Sequence, residues 1–244
     1  MMTFQTYAYT SPGGRTNNED MYLCSEGLWT LADGLGGHDC GEVASREAVY
    51  CTDTLWKQRG CPTDEASLLR ILSDVNKYIL RLQKEEPARA SMRSTLVFVV
   101  TDGRTLRYAH VGDSRFYLFR GNKLAAQSED HSVCAAVARL GEIRYEDIRF
   151  NEDRNKLLKV IGNEEDLKIQ SLPPALPLQP GDAFLLCTDG FWEYVYEQEM
   201  EIDLSKSESA EEWLTYMTKR LLLRTRNKNN DNFTAICVRV GADV

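Results

Sequence analysis

The sequence predicts an α+β layered fold, with strands packed sheet on sheet and helices on the outside. Three observations predict it. Strand-like segments, two long helical patterns, more strands, a third long helical pattern and a last strand follow one another in blocks, not as a βαβ relay. Each helical pattern carries one apolar face that needs an apolar surface to lie on, and the strands supply it. Apolar residues are 43% of the 244, enough for a large core. No Pro/Ser-rich linker and no repeat of solenoid length interrupts the chain, so residues 1–244 are expected to form one domain.

The first strands are expected at 4–9, 21–24 and 28–32. In 41–58, Ala44, Ala48, Cys51 and Leu55 recur at steps of three or four, and in 65–83 so do Leu68, Leu72, Val75, Ile79 and Leu82; both read as helices. Asp39 followed by Glu42 suits a capping pair for the first helix. Strands at 95–100 and 105–110 flank the turn Thr101-Asp102-Gly103-Arg104, and 115–120 is the next strand, ending at Gly121-Asn122. The stretch 131–160 reads as two short helices around a polar segment. Strands near 167–171 and 183–188 are separated by a Pro-rich turn. Ala210, Trp213, Met217 and Leu221 share one face of a helix over about 208–223, and a last strand covers 233–240.

Charge excludes some functions. The chain carries 29 Lys and Arg against 37 Asp and Glu, a net −8, and its longest basic stretch is only Arg224-Thr225-Arg226-Asn227-Lys228. Nucleic-acid binding rests on clustered positive charge, so no nucleic-acid partner is expected. The longest apolar stretches, such as Ala183 to Cys187, are far too short for a bilayer, so no membrane insertion is expected. The N-terminal segment lacks a basic region followed by an apolar one, so no signal peptide is expected. Seven scattered cysteines without a Cys-x-x-Cys pair fit reduced thiols in a cytoplasmic protein.

Several strands begin or end at an aspartate. Residues 28–32 run into Asp33-Gly34, 184–188 run into Asp189-Gly190, Asp231-Asn232 precedes the last strand and Glu19-Asp20 precedes the second. With the 21–32 hairpin turning at Glu26-Gly27, Asp20 lies six residues before Glu26 and Asp33 six after Gly27, so antiparallel pairing brings both to one sheet edge. Asp189 and Asp231 reach that edge if their strands are antiparallel. Carboxylates so gathered must take up protons or bind a cation, and hard oxygen ligands select Mg²⁺ or Mn²⁺. Two such ions roughly 3.5–4 Å apart are a common means of activating water against phosphate esters. A single Asp-Gly is more often a turn, and Asp102-Gly103 reads as one.

Six motifs then occur in order: Arg15-Thr16-Asn17-Asn18-Glu19-Asp20, Ala32-Asp33-Gly34-Leu35-Gly36-Gly37-His38, Val111-Gly112-Asp113-Ser114-Arg115, Asp130-His131-Ser132, Leu186-Cys187-Thr188-Asp189-Gly190 and Asp231-Asn232-Phe233-Thr234. Together they resemble the PP2C (PPM) family of metal-dependent protein serine/threonine phosphatases, in its compact bacterial form, from about residue 5 to residue 240. The resemblance implies a four-layer αββα sandwich, two antiparallel sheets between outer helices, with a flap segment at about 136–160. It implies hydrolysis of phosphoserine and phosphothreonine by a metal-activated water at a binuclear Mn²⁺ or Mg²⁺ centre. Asp33 would bridge two ions, the Gly34 carbonyl would bind one, Asp189 and Asp231 the other, and Asp113 a third. Asp20 and Glu19 would stand close by, partly through water, and Asn232 would orient Asp231. Arg15 would grip the substrate phosphate, its fork matching two of the oxygens.

The family's animal members read Asp-Gly-His-Gly-Gly, with that histidine proposed as proton donor. Here Leu35 holds the place and His38 follows the glycines, so His38 joins the expected catalytic set, protonating the leaving alkoxide or ordering a water, with a supporting role in stabilising its loop as the alternative. Arg115 is expected in a structural ion pair with a strand-end carboxylate, His131 as a brace of its turn through Asp130 and Ser132, and His110 as structural. The resemblance also implies phosphoprotein substrates of a Ser/Thr kinase, with type VI secretion as one setting, and a monomer.

Overall fold

A computed structural model describes residues 2–35, 40–163, 167, 169 and 171–242. In chain order they form β1 (Met2–Ser11), β2 (Asp20–Ser25), β3 (Leu28–Leu35), α1 (Gly41–Gln58), α2 (Glu65–Glu85), β4 (Arg93–Ser94), β5 (Leu96–Thr101), β6 (Thr105–Val111), β7 (Arg115–Arg120) and β8 (Lys123–Gln127). There follow α3 (Val133–Arg139), a 3-10 helix (Tyr145–Phe150), β9 (Leu176–Pro177), β10 (Ala183–Cys187), α4 (Asp189–Trp192), α5 (Glu197–Lys206), α6 (Ala210–Thr225) and β11 (Phe233–Ala242).

Two antiparallel sheets result. One runs β1-β11-β10-β7-β8 and the other β2-β3-β5-β6-β9, with β4 added beside β3. Period-2 alternation on the strands explains why each sheet needs cover on both faces. Along β10, Phe184 and Leu186 point between the sheets, where they meet Val97 and Val99 of β5. Ala183, Leu185 and Cys187 point outward against Trp213 and Met217 of α6. On the other side, Phe98 and Val100 of β5 meet Leu68, Leu72 and Val75 of α2. Three apolar layers therefore lie between four layers of secondary structure, the αββα sandwich that the motifs imply.

Both long N-terminal helices form where the spacing puts them. Helix α2 starts on Asp64, whose carboxylate accepts from Ser67 N at 2.9 Å, a cap worth about 0.5–2 kcal/mol. The expected cap of α1, Asp39, lies outside the described residues. Cys40 stands at the N-cap position with φ 66° and no side-chain cap bond.

Five elements were not foreseen, among them the two-residue β4 beside β3, and one expected strand is absent. Strand β8 is a half-exposed edge with little apolar signal, and β9 is two residues inside the Pro-rich stretch. Helix α4 has only four residues. Helix α5 is mostly polar; its buried Asp203 is tolerated because Arg220 of α6 holds it through two bonds of 2.6 and 2.8 Å. No strand forms at the described residues of 167–171, where Leu167 and Ile169 pack against the α1–α2 layer instead. Among the described residues no helix is long and apolar enough to cross a membrane.

Candidate metal and phosphate site

Hairpin register builds the first half of the site. β2 and β3 pair so that Asp20 stands directly opposite Asp33, and Gly27, at φ 79°, supplies the left-handed turn between them. The second half comes from the other sheet. β10 and β11 pair antiparallel, so Asp189, just past the end of β10, and Asp231, just before β11, reach the same edge. Asp113 arrives from the β6–β7 turn, where Trp192 Nε1 donates to its carbonyl at 2.9 Å. Asp33, Asp113, Asp189 and Asp231 line a cavity of about 730 Å³, with Arg15 and Glu19 on the same wall.

Local contacts fix this arrangement. Gly34 must be a glycine, because a Cβ there would collide with the backbone carbonyl of Gly41, and a Cβ on Gly41 would displace the Glu19 carboxylate. Asn232 ties the 12–19 loop to the start of β11. Its Oδ1 accepts from Glu19 N at 2.8 Å, and its Nδ2 donates to the carbonyls of Pro12 and Asn17 at 2.9 and 2.8 Å. Asn232 N in turn donates to Asp231 Oδ1 at 2.9 Å. Arg15, carried by that loop, donates from Nη2 to Asp231 Oδ2 at 3.1 Å, both side chains being about half exposed.

Burial and mutual repulsion disturb the carboxyls. Desolvation first, then Asp189 and Asp231, push Asp20 up to about 7, against the pull of its two threonine hydrogen bonds. Asp189 is pushed up to about 7 by burial and by Glu193 and Asp231. Asp33 and Asp113 stand well above the usual carboxylate range, through burial and neighbouring aspartates. Glu19 is raised by burial, Glu42 and Asp231, with Arg15 opposing. The negative charge of Asp189 is among the neighbours that raise Asp33, so a proton or a cation near them relieves their repulsion.

A hard divalent cation suits these residues. The donors are all oxygen, several are buried, and Asp20 Oδ1 is buried without a hydrogen-bond partner. Among the described residues no three ligating side chains already close around one point. Asp231 is paired with Arg15, both side chains being about half exposed.

The structure brings together Arg15, Glu19, Asp20, Asp33, Gly34, Asp113, Asp189, Asp231 and Asn232. His38 lies outside the described residues. Arg115 is placed as expected: buried, bidentate on Asp130 at 2.8 and 2.7 Å, and stacked 3.5 Å over Trp192. His110 bonds the Glu129 carbonyl at 2.8 Å. His131 differs from expectation. Its Nδ1 accepts from Gly112 N at 3.3 Å and its ring stacks on His110 at 4.5 Å, while Asp130 is taken by Arg115 and Ser132 caps α3.

Sequence reasoning missed Thr188 and Thr234. Each donates its hydroxyl to Asp20 Oδ2, at 2.9 and 2.7 Å. It also missed Glu193, which approaches Asp189 one turn along and is ion-paired with Arg154. The threonines had a visible signal, since each sits in an aspartate motif at a strand end.

The family model described as Protein phosphatase 2C matches residues 15–230. The chain belongs to the protein phosphatase 2C family. It is 33% identical over 231 residues to the serine/threonine phosphatase stp of Listeria welshimeri, covering 93% of this chain and 88% of that protein. The catalytic domain of the serine/threonine protein phosphatase PstP, solved in complex with two manganese ions, superposes with a TM-score of 0.84 at 26% identity, covering 99% of this chain and 100% of that one. PppA of Pseudomonas aeruginosa, described as a key regulatory component of the type VI secretion system, has a TM-score of 0.77 at 29% identity, covering 97% of both chains. Membership places this phosphatase 2C chain among the metal-dependent serine/threonine phosphatases.

Proposed function

We propose that this protein removes phosphate from phosphoserine and phosphothreonine in proteins, using two Mn²⁺ or Mg²⁺ ions held in the acidic basin. The observation that carries the reading is the convergence of carboxylates from both sheets on one cavity, with a guanidinium at its rim. Asp33, the Gly34 carbonyl, Asp189 and Asp231 would hold the two ions, and Asp113 a third, with Glu19 and Asp20 beside them. Bound there, the ions would lower the pKa of water and offset phosphate charge.

The chain's own residues do the rest. Arg15 orients the phosphate by charge-assisted hydrogen bonds. Asn232 keeps Arg15's loop and Asp231 in register. His38 belongs to the catalytic set on its sequence position, protonating the leaving alkoxide or ordering a water. The segment 136–160 acts as a flap beside the basin, to which it contributes Asn155. The reading takes the enzyme as a cytoplasmic monomer opposing a Ser/Thr kinase, and the likeness to PppA supports type VI secretion as one setting.

The test is release of phosphate from phosphoserine and phosphothreonine peptides with Mn²⁺, with Mg²⁺ and with excess EDTA. The reading expects activity in the first two and none in the third; full turnover in EDTA would overturn it. A parallel panel of small phosphometabolites separates a protein phosphatase from a general phosphoesterase.

A further inference from the structure

Asp20 has a hydrogen-bond environment that runs in one direction. Asn18 Nδ2 donates to Thr10 Oγ1 at 2.7 Å. With that lone pair engaged, the Thr10 hydroxyl bonds Thr234 Oγ1, also at 2.7 Å. The Thr234 hydroxyl has one proton, and among the described residues the only carboxylate it meets is Asp20, whose Oδ2 is 2.7 Å away. A second branch does the same. Thr234 N donates to Thr188 Oγ1 at 3.0 Å, and the Thr188 hydroxyl donates to Asp20 Oδ2 at 2.9 Å.

Both branches end on one oxygen. Thr188 and Thr234 are fully buried, and neither has a second proton to spend elsewhere. Asp20 Oδ1, equally buried, receives nothing. Asp20 is 8% exposed, lies opposite Asp33 in the ladder and is the neighbouring charge that acts most strongly on it. A buried carboxylate oxygen left bare costs free energy unless something else satisfies it.

We propose that Thr188 and Thr234 are positioning residues that clamp Asp20 by Oδ2, so that Oδ1 alone faces the cation site beside Asp33. Asp20 then engages a divalent cation, or water on it, through a single oxygen in a fixed orientation. The threonines come from the ends of β10 and β11, next to Asp189 and Asp231. Each strand end thus supplies an aspartate to the basin and a hydroxyl to the carboxylate from the opposite sheet. This inference rests on the metal-dependent reading above.

The experiment measures Mn²⁺ affinity by titration calorimetry on the purified chain, with Thr188→Val, Thr188→Ser, Thr234→Val and Thr234→Ser. Loss of a partner that orients a metal ligand weakens affinity by about 10- to 100-fold. The valine variants are expected to weaken Mn²⁺ binding by that factor, and the serine variants to stay within about threefold of the parent. Thr52→Val controls for loss of a buried hydroxyl, because Thr52 bonds only the Ala48 carbonyl of its own helix; it should bind as the parent does. Parent-like binding by both valine variants overturns the proposal. So does equal weakening by serine and valine, which would mean that the methyl, not the hydroxyl, matters. If a valine variant does not fold, the serine pair decides, since a serine that weakens binding contradicts the clamp. A parent chain that binds no Mn²⁺ refutes the metal-dependent reading itself, a different failure.

Discussion

Arg15 and Asp231 hold each other, Nη2 to Oδ2 at 3.1 Å, although one is proposed to grip phosphate and the other to grip metal. The two proposed tasks compete for one salt bridge. A cation held by Asp231, as proposed, would leave Arg15 without this partner, its fork free at the rim of the basin. Arg15→Ala should therefore weaken transition-state binding more than it weakens Mn²⁺ binding. Hydrogen bonds to charged groups are worth about 1.5–3 kcal/mol, roughly 10- to 150-fold in kcat/KM. Steady-state kinetics on a phosphopeptide at saturating Mn²⁺ gives the answer. A kcat/KM within twofold of the parent would remove Arg15 from the phosphate site.

Asp189→Asn and Asp231→Asn keep the shape of the side chain and remove its charge. Lewis-acid stabilisation is worth several kcal/mol, so each variant should lose more than about 100-fold in kcat at fixed Mn²⁺. Raising Mn²⁺ should recover part of the loss. Near-normal rates in both variants would show that these carboxylates are not ligands.

Stability without metal should fall as pH rises. Asp20 and Asp189 are pushed up to about 7, and Asp33 and Asp113 also stand well above the usual carboxylate range. The folded state then holds more protons than the unfolded one between that range and about 7, so stability present at low pH is lost on passing through about 7. His131, held down to about 3, acts in the opposite sense, but only below its ordinary 6.5. Between about pH 6.5 and pH 8 the carboxylates act alone. Thermal unfolding in EDTA should show Tm falling across that window, and Mn²⁺ should restore it at pH 8, because the ligands bind metal deprotonated. A metal-free Tm that rises from pH 6.5 to pH 8 would contradict this assignment.

The Arg115–Asp130 pair tests the scaffold rather than the chemistry. Both side chains are 1% exposed, and Tyr145 adds a hydroxyl bond to Asp130 at 3.0 Å. Asp130→Ala would remove the bidentate partner of a buried guanidinium and leave it the longer contact to Glu197 at 3.7 Å, a loss of about 3–5 kcal/mol. Urea unfolding should show it as a lower midpoint at unchanged slope. A change below 1 kcal/mol would mean that Glu197 and the stacking on Trp192 suffice.

How much was legible follows from the range of each interaction. The pairing of Asp20 with Asp33 could be counted from the sequence, because a two-residue turn sets the register of a hairpin. The meeting of Asp189 with Asp231 could only be conditional, since it depends on strands about forty residues apart. Helix α5 escaped notice because its buried side chains are few and its buried aspartate is supported by a distant arginine. Thr188 and Thr234 were visible as neighbours of aspartates, but their joint target came from a third strand, and only the packing of two sheets brings the three together. His131 was assigned to Asp130 by adjacency, whereas tertiary stacking on His110 determined its place.

The ladder between β1 and β11 runs without interruption from Met2 opposite Ala242 to Ser11 opposite Phe233. It also sets an order in time. Arg15, Asp20 and Asp33 leave the ribosome well before Asp231, Asn232 and Thr234. Until β11 arrives, the loop bearing Arg15 has no Asn232 to hold it, and Asp20 lacks the Thr234 hydroxyl. A chain that has not yet reached β11 therefore holds an incomplete basin, and the enzyme can begin to act only after β11 has joined β1.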